Sequence, residues 1–271
     1  MEQIRLKKLR LDILMHQKGL AESRNKAQRM IMAGEVKVNG SMQLKPSFKM
    51  NADALIEVAE KQRFVSRGGL KLEPALEKFG FSDLSGTVCA DVGASTGGFT
   101  DCLLQHGAEK VYAIDVGYGI LHWELRKNPR VVVMERTNAR YLESLPEAVS
   151  LVTMDASFIS LQLLLPVVKE WLTSSGDVVA LVKPQFEAGR KDAAKNAGVI
   201  RNPEVHQRVL IEVAEFAIEH GFQVMNLAKS SIIGPKGNVE FLMHLTNHQS
   251  GKSLEALKDQ AQRLAPIEPL A

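Results

Sequence analysis

Two lysines and two carboxylates stand where a strand-based enzyme fold would place reacting groups: Lys71, Asp155, Lys183 and Glu240. Asp155, Lys183 and Glu240 follow or end the apolar runs LVTMD, VVALVK and GNVEF, and Lys71 lies in the basic, Gly-rich segment SRGGLKL. Such a set can orient a poor nucleophile and take its proton. A lysine removes a proton only as its neutral amine. A second cation and partial desolvation favour that form, whereas neighbouring carboxylates oppose it. The reading therefore assigns Lys183 as general base beside Lys71, with Asp155 and Glu240 orienting the amines and the attacking hydroxyl.

A donor site lies in ADVGASTGGFTD (90–101), an apolar strand that turns through a Gly-rich segment into a helix. Gly93, Ala94, Ser95, Gly97 and Gly98 are small enough for a ligand to approach the backbone. The free N–H groups at the helix start suit an anionic group, and Asp91, Thr96, Phe99 and Thr100 complete the expected donor-binding stretch. Asp115, followed by Val116, ends the next strand 22 residues beyond Gly93, where a carboxylate can accept ribose hydroxyls. Asn138, after the third strand, is placed for an adenine edge, and Asp155 borders the same site. The spacing is not GxGxxG and no GxxxxGK[ST] is present, so the expected ligand is S-adenosyl-L-methionine rather than a nicotinamide or a nucleoside triphosphate.

The elements that must position these groups are legible from residue 87 onward. TVCADVG, KVYAIDVG, VVVMERT, SLVTMDAS, GDVVALVKP, FQVMNLAKS and NVEFLMHL read as seven strands, several continuously apolar as buried parallel strands are. Helices are expected at 97–106, 161–173 and 203–220. The short turn before NVEFLMHL predicts that the last strand is antiparallel. The fold class is α/β, a doubly wound seven-stranded Rossmann-like sheet preceded by a small α+β domain. Expected bounds are 1–60 for the first domain, 61–70 for a basic linker, 71–250 for the catalytic domain and 251–271 for a polar tail carrying a short amphipathic helix.

Charge separates the two domains. Residues 1–50 hold 11 Lys+Arg against 4 Asp+Glu, a net of +7, which leaves −4 for the rest of a chain whose total is +3. A basic module on a mildly acidic body suits nucleic-acid docking. Within it, residues 9–20 read as a helix, Ser23 caps a second helix that stops at Gly34, EVKVNG turns at Asn39-Gly40, and ALIEVAE (54–60) returns as a strand. Residues 1–47 lack Phe and Tyr, so this module is expected to read RNA shape and backbone rather than to stack bases.

SRNKAQRMIMAGEVKVNG resembles the RNA-binding domain of ribosomal-protein S-four type. Over residues 5–245 the motifs RLD, VKVNG, FVSRGGLKL, ADVGASTGGFTDCLLQ, DASFISL, LVKPQFE and GNVEF resemble the TlyA family, RNA 2′-O-methyltransferases of FtsJ-like type. That resemblance implies a Lys-Asp-Lys-Glu tetrad at Lys71, Asp155, Lys183 and Glu240, and ribosomal RNA or ribosomal subunits as partner. Arg10, Arg24, Lys26, Arg29, Lys37 and the linker residue Arg67 are the expected RNA contacts. Phe158 and Phe186 could flank a flipped nucleotide, although packing is the commoner role for each.

Other classes fit less well. DASF replaces the Asn/Asp-Pro-Pro-Tyr-like run of exocyclic-amine methyltransferases, and neither Cys89 nor Cys102 is placed as the nucleophile that pyrimidine carbon-5 methylation needs. The two cysteines lack metal-ligand spacing, so no metal is expected, and they suit reduced packing residues in a cytoplasmic protein. No apolar run reaches the roughly 18–20 residues of a membrane span and the N-terminus lacks a signal sequence. These features weigh against a membrane partner and against the cytolysin reading that the haemolysin label of TlyA-type proteins invites. A third alternative is a non-catalytic rRNA-binding assembly factor.

Overall fold

A computed structural model describes residues 8–58, 63–193, 198–248 and 250–267. The end of the expected returning strand (59–60), the first two linker residues, the motif residues before position 8 and the last four residues lie outside this set. The chain divides into two compact units, Met1–Gln62 and Arg63–Ala271.

The first unit contains β1 (Leu9–Arg10), α1 (Leu11–Gln17), α2 (Arg24–Met32), β2 (Val36–Val38), β3 (Ser41–Met42), β4 (Lys49–Met50) and β5 (Ile56–Val58). The first helix is shorter than its periodicity suggests, because Leu9 and Arg10 pair with Met50 and Lys49 instead of joining it. Ser23 caps α2 by accepting from Lys26 N–H. Asn39 and Gly40 adopt φ of 49° and 78°, the two left-handed positions that a tight hairpin turn demands. Leu11, Met15, Ala27, Ile31 and Val36 form a closed apolar core.

The second unit is a seven-stranded sheet. Its elements are α3 (Gly68–Phe79), β6 (Val88–Val92), α4 (Gly98–Gln105), β7 (Lys110–Ile114), α5 (Trp123–Lys127), β8 (Val131–Met134), β9 (Val149–Met154), α6 (Leu165–Lys169), β10 (Leu172–Val182), α7 (Pro184–Glu187), α8 (Arg190–Ala193), α9 (Pro203–Glu219), β11 (Gln223–Lys229), β12 (Phe241–Thr246) and α10 (Leu254–Leu264). The strand order is β11-β12-β10-β9-β6-β7-β8. β8, β7, β6, β9 and β10 are parallel, and β12 runs antiparallel between β10 and β11, as the short connection implies.

Side chains alternate between two apolar layers with the strand period of two. On β10, Val178, Ala180 and Val182 face the layer containing Trp171, Val209, Phe222 and Leu257. Val179 and Leu181 face the layer containing Leu72, Leu76, Phe99 and Leu103.

Three expectations change. The helix expected over 161–173 shrinks to a 3₁₀ turn at Leu161–Leu163 and the short α6, because β10 already begins at Leu172, with its register broken before Asp177. Residues 63–69 are no free linker: Phe64 is buried, Val65 N–H donates to Asp101 Oδ2 at 2.8 Å, and α3 starts at Gly68. The polar tail is an integral layer, since Leu257 and Ala261 of α10 join the main core and Gln260 Nε2 bonds Asn226 Oδ1 and Leu227 O.

Candidate active site

Every group of the expected tetrad reaches the same edge of the sheet. Asp155 and Lys183 immediately follow the carboxyl ends of parallel β9 and β10. Glu240 precedes β12, whose Phe241 pairs with Val182 in the antiparallel sense, so the amino end of β12 meets the carboxyl end of β10. Lys71 lies in the first turn of α3. Its Nζ is 2.7 Å from Glu240 Oε2 and 4.0 Å from Asp155 Oδ2, and Lys183 Nζ is 2.6 Å from Asp155 Oδ1. Glu240, Lys71, Asp155 and Lys183 thus form one line of alternating charge. Glu240, Lys71 and Lys183 are buried and Asp155 is half-buried. Each buried charge has a counter-charge, the condition under which ionised groups persist away from water.

Lys183 Nζ also donates to Asp155 O (3.2 Å), Ala156 O (3.0 Å) and Ser157 Oγ (2.8 Å). With Asp155 Oδ1 that makes four acceptors for an ammonium with three N–H groups. The arrangement is that of a donor, so a hydroxyl entering here has to displace one of these partners before the amine can take its proton.

Why α3 holds Lys71 in place follows from Pro74. A proline inside a helix cannot bond the carbonyl four residues back, here Leu70. That carbonyl instead accepts from Ser231 Oγ at 2.6 Å. Arg67 Nη2 donates to Ile233 O at 3.3 Å in the same loop, and a Cβ on Gly234 would sit 2.6 Å from Glu240 Oε1. The loop between β11 and β12 is therefore tied to the start of α3 and packed against the Glu240 carboxylate. Glu187, of LVKPQFE, accepts from Ser160 Oγ and Leu161 N–H at 2.6 and 2.9 Å and so anchors the segment that carries Ser157.

A groove along this edge has three lobes, each bordered by Gly93, Ser95 and Asp155. One, of about 430 Å³, is lined by Asp115, Val116, Asn138 and Ala156. A second lies over the starts of α3 and α4 and includes Ser66, Gly68, Ala94, Gly98 and Phe99. A third, of about 400 Å³, holds Lys71, Lys183, Glu240, Gln185, Phe158 and Phe186. In this last lobe Gln185 Oε1 is buried without a hydrogen-bond partner, a polar atom of the kind a ligand completes. Phe158 is 88% exposed with φ of 64° and lies 5.1 Å from Phe186, ring to ring. Its exposure removes packing as the reason for its presence.

Glycines shape the first two lobes. A Cβ on Gly93 (φ 83°) would meet Asp155 O at 2.9 Å, and one on Gly98 would meet Gly68 Cα and Gly69 N at 2.9 Å. The paired glycines of SRGG and STGG let two helix starts abut. Asp115 accepts Ser95 N–H at 2.8 Å and Gly117 N–H at 2.7 Å, one on each oxygen. Each oxygen keeps a further lone pair for a ribose hydroxyl.

Several expected contacts fall elsewhere. Asp91 and Thr100 are fully buried beneath the turn, bonded to each other at 2.6 Å, because strand alternation turns Asp91 inward. Gly97 packs under Leu121 and Leu125, and Thr96 O accepts His122 N–H; none of these four borders the groove. In the first unit, Arg10 Nε and Nη2 and Arg24 Nε donate to buried Asp12 at 2.9–3.0 Å. Both guanidinium groups are thus tied to the core. Lys26, Arg29 and Lys37 are exposed and pair with no carboxylate among the described residues.

Residues that the sequence reading passed over are Ser66, Gly68, Ser157, Gln185, Glu187, Ser231 and Gly234. The repeated Gly-Gly pair and the helix-internal Pro74 were the available signals for three of them.

The FtsJ-like methyltransferase profile matches residues 64–247. This chain belongs to that family. An S4 domain profile matches residues 9–56. The chain is 42% identical over 262 residues to the 16S/23S rRNA (cytidine-2′-O)-methyltransferase TlyA of Mycobacterium tuberculosis, covering 95% of this chain and 97% of that one. It is 43% identical over 239 residues to Hemolysin A of Brachyspira hyodysenteriae, covering 87% of this chain and 99% of that one. A solved Streptococcus thermophilus structure described as a hemolysin superposes with a TM-score of 0.71 at 43% identity, covering 96% of each chain. The methyl donor of the FtsJ-like family is S-adenosyl-L-methionine. The close-approach glycine at position 93, the abutting helix starts and the Asp115 carboxylate fit its backbone, its carboxylate and its ribose.

Proposed function

We propose that this enzyme methylates a ribose 2′-hydroxyl of ribosomal RNA, with Lys71, Asp155, Lys183 and Glu240 as the reacting and orienting groups. The observation that carries the reading is the unbroken Glu240–Lys71–Asp155–Lys183 line along the lobe of Phe158 and Phe186, with Asp155 also bordering the Asp115 lobe. When bound, S-adenosyl-L-methionine supplies an electrophilic methyl on sulfonium. The chain's own residues then have to place a hydroxyl in line with it, about 3–3.5 Å away, which removes much of the barrier.

Asp155 sits between the two amines and orients both. Lys71, fixed by Glu240, keeps positive charge beside Asp155. Lys183, once Ser157 or a carbonyl has been displaced and one ammonium proton has been released to solvent, faces the incoming hydroxyl as a neutral amine and takes its proton. Phe158 and Phe186 hold the nucleoside whose sugar reacts. Lys26, Arg29 and Lys37 hold RNA phosphates on the first unit. The TlyA relative, an rRNA (cytidine-2′-O)-methyltransferase by name, supports ribosomal RNA as the acceptor.

The test is transfer of labelled methyl from S-adenosyl-L-methionine to ribosomal subunits and to naked rRNA. Lys183→Ala should abolish transfer while leaving donor affinity intact. Undiminished transfer by that variant would remove the proposed base. Relatives named as hemolysins motivate one control. No described helix is long and apolar enough to cross a membrane, and dye release from protein-free liposomes at nanomolar protein would argue for a membrane activity.

A further inference from the structure

The chain has three tyrosines and two tryptophans, and three of these five rings stand exposed on segments that flank the donor turn or the Asp115 lobe. Tyr118 is 68%, Trp123 58% and Tyr141 72% exposed. Tyr118 follows Val116 by two residues, Tyr141 follows Asn138 by three, and Val116 and Asn138 both line the Asp115 lobe. Trp123 starts α5, which is joined to the donor turn by His122 N–H donating to Thr96 O.

Each ring carries a cation over its face. Arg136 lies 4.1 Å from the Tyr118 centroid, Lys127 5.1 Å from Trp123 and Arg140 5.5 Å from Tyr141. Arg136 N–H also donates to Gly117 O, which ties the two rim loops together. The neighbouring Arg126 is neutralised by Glu135. Arg136, Arg140 and Lys127, in contrast, pair with no carboxylate among the described residues. Arg136 holds a left-handed φ of 54°, a conformation that costs free energy in a non-glycine residue.

Exposed Tyr and Trp faces are poor for a free surface, since each leaves a large apolar area in water. Interleaved with unpaired cations, they have the chemistry of a single-stranded nucleic-acid surface: flat rings for bases and guanidinium or ammonium groups for phosphates. The first unit lacks any such ring before Phe48. Its cations can hold backbone but cannot stack bases.

We propose that the rim of Tyr118, Trp123 and Tyr141 is a second RNA-contacting surface. Unpaired bases beside the target nucleotide stack on these rings, and Arg136, Arg140 and Lys127 hold the adjoining phosphates. The proposal rests on RNA being the acceptor. It adds that the substrate is locally single-stranded and that the catalytic unit, not only the S4 domain, grips it.

The full chain with Tyr118→Ala, Trp123→Ala and Tyr141→Ala together is compared with wild type in binding a fluorescent single-stranded oligocytidylate, a duplex RNA of equal length and whole rRNA. We expect the variant to bind the single strand at least tenfold more weakly, since stacking on one ring alone contributes about that much. Duplex affinity and calorimetric affinity for S-adenosyl-L-methionine should be unchanged. Restoring rings as Tyr118→Phe and Tyr141→Phe, with Trp123 kept, should recover binding. Arg136→Ala with Arg140→Ala should lower the salt slope of single-strand binding by roughly 0.7 for each phosphate no longer neutralised.

Wild-type single-strand affinity in the triple variant overturns the proposal. So does a loss confined to assembled ribosomal subunits with naked RNA unaffected, which would make the rim a protein-docking surface. If wild type binds the oligonucleotide through these rings yet transfers no methyl to any RNA, the proposed reaction fails while the surface stands.

Discussion

Each unit buries one aspartate completely, Asp12 in the first and Asp91 in the second, and the two are handled in opposite ways. Asp12 is met by hydrogen bonds from the Arg10 guanidinium, from Gln28 and from Arg24, which outweigh its burial and hold its carboxyl well below the usual carboxylate range. Asp91 is met only by neutral donors, the Thr100 and Thr153 hydroxyls and the Thr100 backbone N–H. Burial pushes its carboxyl up to about 7; the Thr100 and Thr153 hydrogen bonds oppose this and the charge of Asp155 adds to it. At neutral pH Asp12 is therefore a carboxylate and Asp91 is close to half protonated, the deeper burial of Asp91 and the neutrality of its donors acting together. Neutral donors offset part of the lost hydration of an anion, whereas a cation adds charge attraction to the hydrogen bond. The active site follows the first pattern, with a lysine beside each carboxylate.

The largest test removes the cations. Arg10→Met with Arg24→Met strands Asp12 in the core and should destabilise the first unit by about 3–5 kcal/mol, the usual consequence of leaving a buried charge unpaired. Urea unfolding followed by hydrogen exchange at amides of α1 and α2 measures it. A loss under about 1 kcal/mol would mean that the partners are interchangeable with apolar contact.

The pH dependence separates the two aspartates by sign. For Asp12 the folded carboxyl is the stronger acid, so its contribution is present above the unfolded value near 4 and is lost as pH falls through and below it. For Asp91 the folded carboxyl is the weaker acid. Its contribution is complete below about 4 and declines as pH rises towards about 7, at about 1.4 kcal/mol per unit of difference. Asp91→Asn should remove that decline, so its urea midpoint should gain on wild type between pH 4 and 7. Parallel curves would show that Asp91 is ionised when folded.

A smaller effect is expected where the compensation involves neutral groups. Ser231→Ala leaves the Leu70 carbonyl, already without its helical partner, unbonded. It should cost about 1 kcal/mol and lower kcat more than donor affinity, as Lys71 loses its tether. Restoration of kcat by Ser231→Thr would support positioning; equal activity in all three proteins would exclude it. The smallest effect belongs to exposed charge. Lys26→Ala with Lys37→Ala should leave stability within about 0.5 kcal/mol and weaken RNA binding with a shallower salt slope. Unchanged RNA affinity would remove these lysines from the interface.

Much of the catalytic unit was legible because its signals are local. Strands such as DVVALV announce themselves by composition, and Asp155 and Lys183 follow such runs directly. The Asn39-Gly40 turn and the Ser23 cap are fixed by residue type. At Arg10 and Arg24 charge patterning registered the cations but not the buried acid that both of them bond. Residues 61–70 read as a basic linker on their charge, whereas Phe64 is buried, Gly69 packs against it and Gly68 against Gly98.

The succession of strands along the chain, the Gly-rich turn and the three charged residues at strand ends were set by the chain's own periodicity and residue types, which act over a few neighbours. Which acids stay ionised, why Leu70 needs Ser231, and how Val116 and Asn138 come to line one lobe were decided only in three dimensions. Those outcomes depend on partners from 2 to 161 residues away in the chain. Burial and counter-charge are properties of the packed assembly, and no short window of sequence contains them.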